Sequence, residues 1–164
     1  MRADGADLRR GGADDDVTAV AALPDLDLAL GKDLLHFQPI KGQAREILTA
    51  ILKSPEVASC NLKVVLLLRL ACEEIVMNIT SYAYLDGVDD FLDVDIQKTD
   101  RIVIRFEDGG VPFNPLAQEM PDTMLSWKKR RIGGLGIFLV RRKMDDVRYV
   151  YENGKNVLTI EKVI

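Results

Sequence analysis

The chain has 164 residues and a formal net charge of −4, so it has room for one domain with a hydrophobic core, and its acidity argues against direct nucleic-acid binding. It contains neither a run of about 18 apolar residues nor the apolar segment of a signal peptide, so we expect no membrane span. The single histidine excludes a histidine-based metal cluster, and Cys60 and Cys72 lack metal-like spacing. Free thiols in a cytoplasmic protein are the simplest expectation.

The N-terminal part of the chain predicts an extension followed by one domain. Residues 1–32 are rich in Ala, Asp, Gly and Arg and predict a flexible extension, whereas residues 33–164 predict the domain. The segment DLLHFQP predicts a short strand, after which Pro39 suits the first position of a helix that Pro55 ends. The apolar stretch NLKVVLLLRLACEEIVMNITSYAY predicts a long buried helix with Asn61 as its N-cap.

The C-terminal part alternates strand, loop and helix signals. FLDVDIQ and RIVIRFE alternate apolar and polar residues across a short polar link, which predicts an antiparallel hairpin with one buried and one wet face. Residues 114–132 predict a long loop, GGLGIFLVRRKMDD predicts a helix opened by glycines, and a second hairpin turns at Asn153-Gly154. Together these signals predict an α/β fold, a two-layer sandwich with helices on one face of a mixed, mostly antiparallel sheet.

Two polar side chains on the long predicted helix face the expected core. Glu74 and Asn78 continue the stripe of Leu67 and Ala71, at spacings of three and four residues. Buried polar groups need partners or a ligand, and a carboxylate one turn from an amide oxygen suits a general base and a hard-cation ligand. The alternative is that both side chains cap neighbouring loops.

A carboxylate followed by two glycines ends the first hairpin. Glycine lets a ligand ring approach the backbone because it has no Cβ, so Gly109 and Gly110 could admit a base whose exocyclic amine donates to Asp108. An ordinary Asp-Gly turn is the alternative reading.

Glycines and basic residues also surround the start of the last predicted helix. Gly133, Gly134 and Gly136 leave free N–H groups at a positive helix end, which suits phosphate, or they form a flexible hinge. The basic run Trp127–Arg131 could close over phosphates, although charge runs of this kind are more often simply solvated.

The order of these segments resembles the GHKL, or Bergerat-fold, ATPases. EEIVMNITSYAY is similar to their N box, EDGGVPFNP to their G1 box, and the stretch that begins GGLGIFLV to their G2 box. The Pro-Phe-x-Pro run and the form of the glycine segment resemble one branch, the anti-sigma factor serine/threonine kinases. The resemblance covers roughly residues 33–164 and implies the histidine-kinase-like ATPase fold.

The resemblance implies a role for each matching position. Glu74 is implied to be the catalytic base that activates a hydroxyl, Asn78 to be the ligand of Mg²⁺, and Asp108 to bind the adenine amine, with Gly110 behind the base. The other positions implied to contact ATP belong to the lid or the G2 box: Arg130, Arg131, Gly134, Leu135, Gly136 and Ile137.

Three positions depart from the family pattern. Tyr82 stands where many relatives have His or another polar residue, and Asn114 replaces a frequent Asp. Lys155-Asn156-Val157 replaces the Gly-Thr-Thr that often precedes the last strand, where a Thr helps to hold adenine in the wider superfamily.

The implied function is an ATP- and Mg²⁺-dependent serine/threonine kinase that acts as an anti-sigma factor. Its implied partners are an anti-anti-sigma protein of STAS type and a sigma factor, and the resemblance also suggests a homodimer. The alternative is a nucleotide-gated module that sequesters a regulator without phosphorylating it. A histidine-kinase catalytic domain lacks support, because no helix pair with a phosphoacceptor histidine precedes the ATPase boxes.

Overall fold

The computed structural model describes residues 34–38, 40–85, 90–117 and 135–164. Within these ranges the chain forms five strands, four α-helices and a short 3-10 helix, in this order: β1 (Leu35–Phe37), α1 (Ala44–Lys53), α2 (Pro55–Ala58), α3 (Leu62–Tyr82), β2 (Leu92–Lys98), β3 (Arg101–Asp108), the 3-10 helix (Pro115–Ala117), α4 (Leu135–Lys143), β4 (Asp146–Glu152) and β5 (Lys155–Val163). The predicted N-terminal extension and most of the predicted long loop lie outside the described residues.

The strands build a single sheet in the order β1-β2-β3-β5-β4. All pairings between the described strands are antiparallel, which agrees with the mostly antiparallel sheet predicted. Both predicted hairpins are present, and the second turns at Asn153 and Gly154, with φ angles of 52° and 77°. Two successive positive φ angles match the right-handed twist of the strands and explain the Asn-Gly pair.

Local signals explain where the helices begin. The Oδ1 atom of Asn61 accepts a hydrogen bond from N of Val64 at 3.0 Å, so the predicted N-cap of α3 is confirmed. Pro55 follows the end of α1 as predicted and also begins α2, where Ser54 is the N-cap. The predicted helix start at Pro39 was wrong, because α1 begins at Ala44; Pro39 itself lies outside the described residues. Among the helices that the structure describes, none is long and apolar enough to cross a bilayer.

The core lies between the sheet and the helical layer, in which α3 packs between α1 and α4. Because side chains alternate along a strand, the predicted apolar set of β2 and β3 is buried on one face: Leu92, Val94, Ile96, Ile102, Ile104 and Phe106. The other face carries the predicted charges, but it is less wet than predicted. Asp95 and Val103 are only 3% and 9% exposed there, and Arg105 pairs with Glu107 at 2.5 Å.

Candidate functional site

The site begins where the C-terminal end of α3 meets the loop after β3. N of Val111 donates to O of Ala83 at 2.8 Å. A Cβ at Gly110 would come within 2.3 Å of the same carbonyl oxygen, a distance that real Cβ atoms essentially never reach. Gly110 is therefore required because the loop packs directly against the helix backbone. The missing Cβ makes room for the protein's own helix end, and the place of Gly110 behind the adenine ring stays a prediction.

Tyr84, just after α3, also contacts the loop that follows β3. Its hydroxyl donates to O of Phe91 at 2.8 Å and accepts from N of Gly109 at 2.7 Å. Burial raises the pKa of Tyr84 above its ordinary value, so the hydroxyl keeps its proton at neutral pH. A Cβ at Gly109 would lie 2.7 Å from the Phe91 ring, so the first glycine is also closely packed. The loop after β3 is thus held at two successive residues.

Asp108 ends β3 with its two carboxylate oxygens in different environments. Oδ1 accepts from N of Gly110 and from Nδ2 of Asn156, each at 2.9 Å. Oδ2 accepts no hydrogen bond from any residue that the structure describes. The residue is 5% exposed, and burial raises the pKa of the carboxyl, although both hydrogen bonds oppose this rise. Oδ2 is therefore an acceptor left for a group outside the described chain.

Asn156 is the site residue that sequence reasoning missed. It lies opposite Asp108 in the pairing of β3 with β5 and is 6% exposed. Its Oδ1 accepts from the hydroxyl of Tyr149 at 2.7 Å and from N of Phe113 at 3.1 Å. The departure from Gly-Thr-Thr marked this position, but only the strand register shows that the asparagine side chain reaches the carboxylate.

Glu74 and Gly136 come together although they are 62 positions apart in the sequence (136 − 74). A Cβ at Gly136 would lie 1.8 Å from Oε2 and 2.5 Å from Cδ of Glu74. The predicted base therefore contacts the first turn of α4, the helix that the predicted phosphate glycines open. The helix dipole favours a carboxylate at the N-terminal end of α4. A phosphate bound at the same helix end would repel the carboxylate of Glu74, so a cation between the two anions is expected.

Asn78 lies one turn after Glu74 on α3, and both side chains are half-buried. Over the described ranges neither side chain has a hydrogen bond or an ion pair. The described residues contain no group of three or more His, Cys, Asp or Glu able to hold a metal. The amide oxygen of Asn78 is a ligand of the hard type that Mg²⁺ takes, and the role of Asn78 as that ligand stays a prediction.

The remaining predicted nucleotide contacts are only partly covered by the structure. Ile137 is 7% exposed and belongs to the hydrophobic core, so its side chain supports α4. Leu135 begins α4, but its side chain is outside the described part of the chain. Arg130, Arg131 and Gly134 also lie outside the described residues and stay predictions.

The loop that follows the buried carboxylate of Asp108 packs against the end of the helix that carries Glu74 and Asn78, which is the arrangement that the resemblance to the histidine-kinase-like ATPases implies. The family model described as the histidine kinase-like ATPase domain matches residues 39–162. The chain therefore belongs to this family, and the predicted resemblance to the GHKL ATPases is confirmed.

Two curated relatives bear the name Serine-protein kinase RsbW. The protein from Listeria monocytogenes serovar 1/2a is 29% identical over 96 residues, which are 56% of this chain and 61% of the relative. The protein from Listeria innocua serovar 6a is 28% identical over the same shares. The match thus spans 61% of the length of each relative. These similarities agree with the predicted resemblance to the anti-sigma kinase branch.

Proposed function

We propose that this protein is an ATP-dependent serine/threonine kinase that acts as an anti-sigma factor and phosphorylates an anti-anti-sigma partner of STAS type. The contact between Glu74 and Gly136 is the observation that carries the proposal, because it joins the predicted base to the predicted phosphate segment. Membership of the ATPase family and the similarity to two serine-protein kinases support the choice of reaction.

Adenine is bound through the free oxygen of Asp108. The exocyclic amine of the base donates to Oδ2, the acceptor that no described residue uses. Because the carboxylate is nearly buried, this hydrogen bond forms away from water and contributes more than it would at the surface. The donation from Gly110 and the contact of that residue with α3 keep the acceptor in place.

Glu74 and Asn78 act on the phosphate end of the nucleotide. Glu74 has no ion pair among the described residues that would occupy its carboxylate, so it can accept the proton of a partner's Ser or Thr hydroxyl. Asn78 offers its amide oxygen to Mg²⁺, which neutralises phosphate charge when bound. In this proposal the positive charges of Arg130 and Arg131 in the lid stabilise the negative charge of the transferred phosphoryl group.

The test is transfer of labelled phosphate from ATP to a STAS-type protein encoded in the same genome. We expect transfer by the wild type, loss of transfer in Glu74→Gln with ADP binding retained, and wild-type behaviour in Glu73→Gln. Glu73 is a matched control because it is the exposed neighbour of Glu74 on the same helix. Transfer by Glu74→Gln at the wild-type rate would refute the role of the base. A wild type that binds ADP and the partner without transfer would instead identify a sequestering module.

Further partners and the compartment belong to the same proposal. A sigma factor is the second partner, and the protein acts as a homodimer, both by resemblance to the kinase branch. The described cysteines Cys60 and Cys72 are free thiols, which suits the reducing cytoplasm as the place of action.

A further inference from the structure

The side chain of Asn156 has no hydrogen-bonding capacity left for a ligand. A primary amide donates two hydrogen bonds from nitrogen and accepts two at oxygen. Its Oδ1 already accepts from Tyr149 and Phe113, at 2.7 and 3.1 Å. Its Nδ2 lies 2.9 Å from Oδ1 of Asp108 and 3.3 and 3.1 Å from the main-chain oxygens of residues 110–111. Unlike a Thr that touches adenine, this residue acts only on other parts of the protein.

The consequence falls on Asp108. A free carboxylate can accept two parallel hydrogen bonds, one on each oxygen. Here Oδ1 is already occupied by the donations from Asn156 and from N of Gly110. Only Oδ2 is open to a donor, so the carboxylate offers a single acceptor.

Purines differ in how many donors they can present to such a group. Guanine presents adjacent N1–H and 2-amino donors, which suit a carboxylate with two open oxygens. Adenine presents its 6-amino group to one oxygen. A site with one open oxygen leaves a guanine donor unpaired in a nearly dry place, which is a strong penalty.

We infer that Asn156 is a positioning residue for nucleotide selectivity, which blocks Oδ1 of Asp108 and thereby denies the site to two-donor recognition of guanine. The inference rests on the proposed function, since it assumes that the base of the nucleotide reaches Asp108. It assigns to β5 a role in discrimination rather than in direct contact with the base.

The test compares the affinities of ADP and GDP for the full chain by calorimetry. In Asn156→Ala, we expect the affinity for ADP divided by the affinity for GDP to fall by about tenfold. Oδ1 of Asp108 then keeps only the donation from Gly110, so it can accept a second hydrogen bond from guanine. The matched control is Asn114→Ala, an exposed asparagine of the loop after β3 whose Oδ1 accepts from N of Leu116 at 2.9 Å. The control keeps the wild-type ratio.

A second variant covers the case in which Asn156→Ala does not fold. Asn156→Asp has the same shape and keeps both accepted hydrogen bonds, but it places a second carboxyl 2.9 Å from Oδ1 of Asp108. At low pH the two carboxyls share a proton, so residue 156 again donates a hydrogen bond to Oδ1 of Asp108. The ratio of ADP affinity to GDP affinity should therefore return toward the wild-type value as the pH falls from about 8 to about 6. Among the described residues, the other titratable groups that interact electrostatically with Asp108 are Glu107, Tyr84 and Tyr149, and they are unchanged in this variant.

The outcomes separate the inference from the function on which it rests. If the role of Asn156 is purely structural, both substitutions weaken the binding of ADP and of GDP equally. The ratio of the two affinities then stays at the wild-type value at every pH, and this result would overturn the inference alone. A wild type that binds no ADP would overturn the proposed function, and the inference would fall with it. A reduced ratio in Asn156→Ala, or a ratio in Asn156→Asp that depends on pH, supports the inference.

Discussion

The contact between Glu74 and α4 makes a sharp prediction for Gly136→Ala. The new Cβ would lie 1.8 Å from Oε2 of Glu74, whereas ordinary van der Waals contact begins near 3.4 Å. The carboxylate oxygen must therefore retreat by roughly 1.6 Å, the difference between these two distances. The obstacle is the end of a flexible side chain, so rotation of Glu74 can relieve the clash without movement of the backbone.

The magnitudes of the two effects differ. Alanine is favoured over glycine inside a helix by about 1 kcal/mol, which offsets the strain of moving Glu74, so the free energy of unfolding changes by less than about 1 kcal/mol. Displacement of a catalytic group by about 1 Å costs on the order of 100-fold in rate, so phosphate transfer falls by about that factor. The predicted hydrogen bond between the adenine base and Asp108 is not affected, because Asp108 does not contact the substituted residue.

Urea unfolding and the transfer assay measure these two effects separately. A double variant, Glu74→Ala with Gly136→Ala, gives a check that needs no activity. Without the carboxylate to clash with, the alanine at 136 should stabilise the Glu74→Ala protein by about 0.5–1 kcal/mol. A Gly136→Ala protein that transfers phosphate at the wild-type rate, together with no coupling between the two substitutions, would refute the contact and the role built on it.

Three further substitutions probe the loop after β3. Gly110→Ala should lower the free energy of unfolding by about 2–4 kcal/mol in urea, because its Cβ meets the backbone of Ala83, which cannot rotate away; a loss below about 1 kcal/mol would contradict the packing. Tyr84→Phe removes the hydroxyl that links Phe91 to Gly109 and should lower the free energy of unfolding by about 1–2 kcal/mol. Tyr151→Phe should cause no change, because Tyr151 is exposed and its hydroxyl makes no hydrogen bond within the described part of the chain; equal stabilities of the two variants would contradict the clamp. Asp108→Asn should be at least as stable as the wild type at neutral pH. Burial raises the folded-state pKa of Asp108 above the ordinary value of 3.8, so the folded state binds more protons and the wild type loses stability as the pH rises from 3.8 through the folded pKa. The advantage of Asn should therefore shrink on acidification, and an advantage that grew instead would show the opposite sign of shift.

Local sequence signals predicted the elements of the fold well. The Asn61 cap and the Asn153-Gly154 turn depend on side chains within a few residues of the backbone they serve, so they could be read directly. The alternation in β2 and β3 predicted the buried face for the same reason. It did not predict that Asp95 and Val103 are buried on the other face, because the alternation within one strand does not contain the packing of the rest of the fold.

The site depended on contacts between distant segments, which local patterns do not contain. Asp108 and Asn156 are brought together by the register of β3 and β5, so the sequence marked Asn156 only as a departure. The sequence predicted a lack of Cβ at Gly110 for a ligand ring, but it did not predict the contact with Ala83, which follows from how α3 ends beside β3. The resemblance gave Glu74 and Gly136 separate roles, and the spacing within each box did not predict that the two residues come together.

The central claim, that a nucleotide binds with its base on Asp108, is tested most directly by calorimetry of ATP with Mg²⁺ on the wild type and on Asp108→Asn. The asparagine keeps the fold and an acceptor for Gly110, but it turns an amide donor toward the adenine amine. We predict binding by the wild type and an affinity at least about 100-fold lower in the variant. Equal binding by both proteins, or no binding by the wild type, would contradict the account.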